Sequence, residues 1–274
     1  MAFIFEFVFP KHLSFASVMF WKDKVILITG ASSGIGAELA RQISTKGAIL
    51  GLIARRLEKL EEVKNQTETN GAIVRIFPVD VTDFKAVKSA TENLIREFGK
   101  IDMLIANAGI AGKTVSAWKI NPDDFSEVIK INLLGAVNSV AAVLPSMYER
   151  QNGHLVAISS LAGFRGLPKS AAYCASKSAM TTFFESLRID LLKSGIHVTI
   201  IQPGFIKTPL TAGRKGNMPF LIELDVATSK IIKAIEKRKK FYAFPWQLAT
   251  LVRLGKIMPA WLYDKIVEGR NYRE

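Results

Sequence analysis

The sequence predicts an α/β fold: a doubly wound parallel sheet flanked by helices, in a single domain. Three observations carry this. Short apolar runs alternate with longer segments of helical spacing through most of the chain. Most of those runs are continuously apolar, as expected of strands covered on both faces. No linker, repeat or low-complexity stretch divides the 274 residues, a length that suits one large α/β domain or two small ones.

The elements follow in order. "KVILITG" (24–30) is a buried strand running into glycine, and "AELARQISTKG" (37–47) a helix ending at a glycine cap. "AILGLIA" (48–54) is a second strand, "RLEKLEEVKNQTETNG" a charged helix and "AIVRIFPVD" (72–80) a third strand. "DFKAVKSATENLIREFG" is a helix and "IDMLIANAG" (101–109) a fourth strand. A long helix follows, capped by Asn121, with Pro122 as its first residue and Asp123 and Asp124 at the positive end of its dipole. "GHLVAISS" (153–160) is a fifth strand. A helix carrying Tyr173 then runs to near Gly195, "IHVTIIQPG" (196–204) is a sixth strand, and "KFYAF" (240–244) a seventh.

Composition bounds the function. About half of the chain is apolar, and 37 basic against 24 acidic residues give a net charge of +13. From Lys230 to Glu274 there are 11 basic and 4 acidic residues, a net of +7. Such a tail suits an anionic membrane, a charged cofactor or plain solvation. Nothing resembles a dedicated reader of bases, so no nucleic-acid partner is expected. The single cysteine, Cys174, excludes an intramolecular disulfide and fits a reducing, cytoplasmic setting. His12, His154 and His197 are widely spaced in sequence, so no metal site is expected.

Residues 1–21 form an apolar extension before a domain spanning 22–274. Glu6, Pro10, Lys11 and His12 interrupt its apolar run, so no spanning segment is expected. Neither is a signal peptide, for which early positive charge and a small-residue cleavage site are wanting. A membrane-surface anchor, an extension folded on the body and a translation start at Met19 remain open.

Between the first strand and the first helix lies "TGASSGIG" (29–36). Gly30 permits a sharp turn, and Gly34 and Gly36 let backbone N–H groups and the helix N-terminus approach a pyrophosphate. Ser32, Ser33 and Ile35 belong to the same turn. A dinucleotide is the expected ligand. The second strand ends in "ARRLE", with Arg55 and Arg56 where an NAD-specific site usually carries an acid. Guanidinium suits a 2′-phosphate, so NADP(H) is expected in preference to NAD(H).

In "YCASK", Tyr173 and Lys177 are four apart and share one helix face. A free tyrosine, with a pKa near ~10, is a poor acid–base pair at neutral pH, and a nearby ammonium favours its phenolate. The pair points to general acid–base chemistry.

Taken together, "TGASSGIG", "DVTD" (80–83), "NAG" (107–109), Asn132 in "KINLLG", "ISS" (158–160), "YCASK" and "PG" (203–204) resemble the short-chain dehydrogenase/reductase family over about residues 22–210. The resemblance implies a Rossmann-type NAD(P)-dependent oxidoreductase, usually a homodimer or homotetramer, acting on a small-molecule carbonyl or alcohol. It implies Tyr173 as the general acid/base and Lys177 as the partner that tunes it and bonds the nicotinamide ribose. Ser160 would hold the substrate oxygen, with Ser159 the weaker candidate, and Asn132 would link Lys177 to a relay water. It further implies adenine contacts from Asp80 and Val81 and cofactor lining from Asn107, Ala108 and Gly109. Pro203, Gly204, Ile206 and Thr208 would form the nicotinamide segment. Some NADPH-specific members carry a basic residue where Ser33 stands here, so phosphate recognition would rest on Arg55 and Arg56.

The segment 205–225 is the expected substrate lid. Gly213 and Gly216 suggest mobility, Met218, Phe220, Leu221 and Ile222 an apolar cover, and Phe164 and Leu167 a shared pocket wall. The extension 245–274 mixes Trp246 and Trp261 with leucines, Arg253, Lys256 and Lys265, a pattern that fits a membrane surface, the protein body or a second subunit. An apolar lid favours a lipophilic substrate. The alternatives are a ketoreductase acting on carrier-bound acyl chains and a non-catalytic NADPH-binding regulator.

Overall fold

The computed structural model describes residues 15–213 and 217–268. Among them, seven strands form one sheet: β1 Val25–Thr29, β2 Ile49–Ala54, β3 Ile73–Pro78, β4 Met103–Ala106, β5 Gly153–Ile158, β6 Ile196–Pro203 and β7 Phe241–Phe244. All pair in parallel, in the order β3-β2-β1-β4-β5-β6-β7. The chain starts in the middle, winds outward to β3, then crosses back to β4 and winds the other way. The two windings part at the carboxyl ends of β1 and β4, where ligands bind in sheets of this kind.

Alternate residues of β1 explain the two cores. Ile26 and Ile28 face a layer made by α1 Phe15–Trp21, α2 Gly34–Ser44, α3 Leu57–Glu68 and, further on, α8 Leu224–Glu236. Val25 and Leu27 face the opposite layer of α4 Phe84–Phe98, α6 Gly135–Glu149 and α7 Ala171–Asp190, with α5 Pro122–Ile129 packed on α7. The five inner strands therefore bury both faces, which is why their runs read as continuously apolar, whereas the edge strands β3 and β7 are partly open.

The long helix expected after Asn121 forms, and Asn121 Oδ1 accepts from the Asp123 and Asp124 amides. It is not uniform: Lys130–Leu134 is a π-helical turn between α5 and α6. The helix from Pro122 to Glu149 is long and apolar enough to cross a membrane, but Val128, Val140, Val143 and Met147 are buried inside the protein.

The extension folds on the body from Phe15 onward. Trp21 is fully buried, and its indole N–H donates to Glu236 Oε1 at 2.7 Å, tying α1 to α8. The readings of residues 1–14 lie outside the described residues. The C-terminal extension forms α9 Trp246–Ile257 and α10 Ala260–Glu268.

Candidate active site

The glycine turn closes the top of β1. Gly30 and Gly34 have φ of +66° and +56°, a region that favours glycine. A Cβ on Gly30 would lie 2.7 Å from the Ala108 backbone, so the tops of β1 and β4 touch only because that side chain is missing. Thr29 Oγ1 accepts from the Asn107 and Ala108 amides at 3.0 and 3.1 Å, and the Asn107 amide group donates back to Thr29 O at 2.9 Å. Ser33 precedes α2, yet no side chain caps this helix. Its hydroxyl instead accepts from Arg56 Nη2 at 2.9 Å, as the Ser32 hydroxyl does at 3.0 Å.

A cleft of about 440 Å³ opens here. All the residues expected to bind cofactor line it except Gly36, and Ser160 lines it too. Gly36 packs behind the turn, where a Cβ would meet Gly30 O at 2.5 Å. Arg55 leans toward Asp80, with 3.7 Å between Nη1 and Oδ2, while Asp80 Oδ1 accepts from the Thr82 amide and hydroxyl at 2.9 Å. Across the cleft, Thr208 sits 3.7 Å from the Cβ position of Gly34, so the segment after β6 faces the glycine turn. Thr211 Oγ1 donates to Ile206 O and accepts from the Thr208 amide, folding this segment into a tight turn. Leu210 and Thr211 line the cleft and were not singled out from sequence. The signal was the threonine repeat in "KTPLT", whose three-residue spacing permits that turn.

At the other end lie Ser160, Tyr173 and Lys177. Lys177 is 4% exposed, and its Nζ donates to Ile158 O at 2.9 Å. It stands 5.9 Å from the centre of the Tyr173 ring, and burial pushes its ammonium down to about 8. Ser160 caps the short turn Leu161–Gly163, accepting from the Ala162 amide at 3.1 Å. Ser159 is buried, its hydroxyl donating to Lys177 O at 3.0 Å and pairing with Thr181 at 2.8 Å. Asn132 stays behind the cleft. Its Oδ1 accepts from the Ile110 amide at 2.7 Å, and its Nδ2 donates to Ile110 O and the Ser176 hydroxyl, both at 2.9 Å. The π-helical turn places this side chain between α7 and the loop after β4.

The lid differs from expectation. Met218, Phe220, Leu221 and Ile222 do not line the cleft, nor do Phe164 and Leu167. Ile222 bridges to Ile206 and packs against the core, whereas Phe220 and Leu221 are exposed. Phe164 lies beneath the Lys256 ammonium of α9. Gly216 lies outside the described residues. His154 and His197, far apart in sequence, are cross-strand neighbours at the amino ends of β5 and β6, away from the cleft. His154 bonds Thr199 at 2.8 Å, and His197 meets Arg238 at 2.7 Å. Among the described residues no cluster of three or more metal-ligating side chains occurs.

This combination defines a doubly wound α/β fold with a cleft at its switch point and a polar cluster of Ser160, Tyr173 and Lys177 at one end of it. The short chain dehydrogenase family matches residues 24–218, and the chain belongs to that family. It is 42% identical over 241 residues to an uncharacterized oxidoreductase of Myxococcus xanthus, covering 88% of this chain and 95% of the relative. It is 39% identical over 193 residues to mouse dehydrogenase/reductase SDR family member 7, covering 69% of this chain but only 57% of that protein. A fatty acyl-CoA reductase of Acinetobacter baylyi is 37% identical over 222 residues, covering 80% of this chain and 75% of the relative. A solved short chain dehydrogenase from Mycobacterium paratuberculosis, bound to NAD, aligns with a TM-score of 0.76 at 25% identity, covering 84% of this chain and 98% of the other.

Proposed function

We propose that the protein interconverts a lipophilic carbonyl compound and its alcohol with NADP(H), and that Tyr173 is the general acid/base. The observation that carries this reading is the buried Lys177 ammonium beside Tyr173, in the same cleft as Ser160 and the glycine turn. The residues fit a dinucleotide. The turn approaches β4 with no Cβ between them, α2 has no side-chain cap, and Arg56 with two serine hydroxyls forms a polar cluster suited to a 2′-phosphate.

The bound nucleotide would supply or accept the hydride. During reduction the carbonyl π pair moves onto oxygen, Ser160 donates a hydrogen bond to that oxygen, and the Tyr173 O–H proton transfers to it. The Tyr173 phenolate left behind is stabilised by the Lys177 charge. Oxidation runs the same steps backwards. Lipophilic specificity is supported by the likeness to a fatty acyl-CoA reductase, which also favours a second reading, an acyl thioester as the carbonyl.

The test is oxidation of NADPH and NADH against short, aromatic and long-chain aldehydes and ketones and an acyl-CoA, with Tyr173→Phe as control. Turnover with NADPH and apolar carbonyls, lost by a factor of about 100 or more in the variant while nucleotide binding persists, is the expected outcome. Full turnover in Tyr173→Phe would remove the acid/base role. Release of CoA, with free carbonyls inert, would select the second reading.

A further inference from the structure

The C-terminal helices have two unlike faces. The inner face is fastened to the cleft. Arg165, on the loop between Ser160 and Tyr173, donates to Gly255 O and to Met258 O, the latter at 2.8 Å, and so caps the end of α9. Its guanidinium lies 3.9 Å from the centre of the Tyr263 ring, and the Tyr263 hydroxyl donates to Gly166 O at 2.7 Å. Leu248 occupies the space where a Gly204 Cβ would point. The helices are thus held to the loop that carries Ser160.

Among the described residues nothing covers the outer face. Trp246, Ile257 and Trp261 are 72%, 80% and 71% exposed, and Leu251 and Leu254 are exposed beside them. Trp246, Leu254 and Ile257 recur at steps of eight and three along one side of α9. Arg253 and Lys256 flank them, and α9 contains no acid. α10 adds Lys265 together with Asp264 and Glu268. Because α9 follows the carboxyl end of β7, this face stands at the end of the sheet where the cleft lies.

Charge selects the occupant. A second copy would bring another chain of net charge +13, and on these two helices its carboxylates, Asp264 and Glu268, are outnumbered by Arg253, Lys256 and Lys265. An anionic lipid surface offers the complement: tryptophans settle at headgroup depth, and long cations reach phosphate while their stems lie on apolar surface. We propose that α9 and α10 form a lipid-surface docking element that holds an anionic bilayer beside the cleft. This goes beyond the proposed reaction and holds whatever the substrate.

The experiment is sedimentation of the full chain with phosphatidylcholine vesicles and with vesicles that also contain phosphatidylglycerol, at low and high salt, alongside tryptophan emission. Salt-sensitive binding to the anionic vesicles with a blue shift is expected. The combined variant Trp246→Ser, Ile257→Ser and Trp261→Ser should lose about tenfold or more in partitioning while its circular dichroism and nucleotide affinity are retained. Should it misfold, Arg253→Glu with Lys256→Glu tests the same face by charge and should lose binding to a similar extent. Absence of vesicle binding, or wild-type binding by a folded variant, would overturn the proposal. A light-scattering mass that doubles in wild type and halves in the variant, without lipid binding, would assign the face to a second copy. Vesicle binding is measured without turnover, so its failure is separate from failure of the proposed reaction.

Discussion

Lys177→Met is expected to make the nucleotide-free protein more stable at neutral pH while removing turnover. Burial lowers the Lys177 ammonium from 10.5 to about 8. At 1.36 kcal/mol per pKa unit, keeping it charged in the folded state costs about 3 kcal/mol below pH 8. Between about pH 8 and 10.5 the unfolded chain holds this proton more tightly than the folded chain, so the contribution to stability rises with pH and the cost disappears at the upper end. Methionine would fill the same channel beside Met180, whose sulfur is 3.9 Å from Nζ. Against the gain stands the Ile158 carbonyl, which loses its donor at a cost of about 1 kcal/mol. The variant should therefore be stabilised by about 2 kcal/mol near pH 7, and the gap should shrink to almost nothing by about pH 9.5. Urea titrations followed by far-ultraviolet circular dichroism measure both points. A variant less stable than wild type near pH 7, or a gap that ignores pH, would refute the reasoning.

Three further outcomes are expected. Arg56→Ala removes the guanidinium that bonds Ser32 and Ser33, and should raise KM for NADPH about tenfold or more with little change for NADH; equal losses in steady-state kinetics would take Arg56 out of phosphate recognition. Gly195→Ala places a Cβ 2.1 Å from Gln151 O at φ +69°, and should destabilise by about 2 kcal/mol or more, read as a fall in thermal midpoint. Trp21→Ala empties a fully buried site and strips Glu236 of its indole donor, which should cost about 3–5 kcal/mol in urea unfolding, whereas Trp21→Phe should cost much less.

The inner strands were legible because they bury both faces, so "KVILIT" or "HLVAI" admits no amphipathic alternative of the same length. The glycine turn was legible because a strand, three glycines and a helix follow one another within one short stretch. Contacts between distant residues were not. Nothing in "ARRLE" reveals that Arg56 turns back to Ser32 and Ser33, which depends on β2 lying beside β1. The π-helical turn has no composition of its own; "KINLL" reads as plain helix, and only packing of Asn132 between Ile110 and Ser176 makes the wider turn worthwhile. The apolar residues of 218–222 were read as a cover because the sequence shows apolarity, not direction; Ile222 turned into the core and its neighbours outward. α8 carries its own signal in the sequence: Ala227, Ile231, Ala234 and Ile235 recur at helical spacing and are all buried.

The cleft draws its walls from Gly30 to Thr211, at the carboxyl ends of strands on both sides of the crossover between β3 and β4. No contiguous piece of the chain holds more than part of it. A nucleotide lodged there would bridge the two windings as a strut does, so its affinity would report whether the whole sheet has assembled. At a hundredfold excess over Kd such a ligand adds about 2.7 kcal/mol to the folded state. A variant damaged at β3 or at the amino end of β6, away from the cleft, should therefore be rescued in part by nucleotide alone, and in a cell its abundance would follow the supply of cofactor.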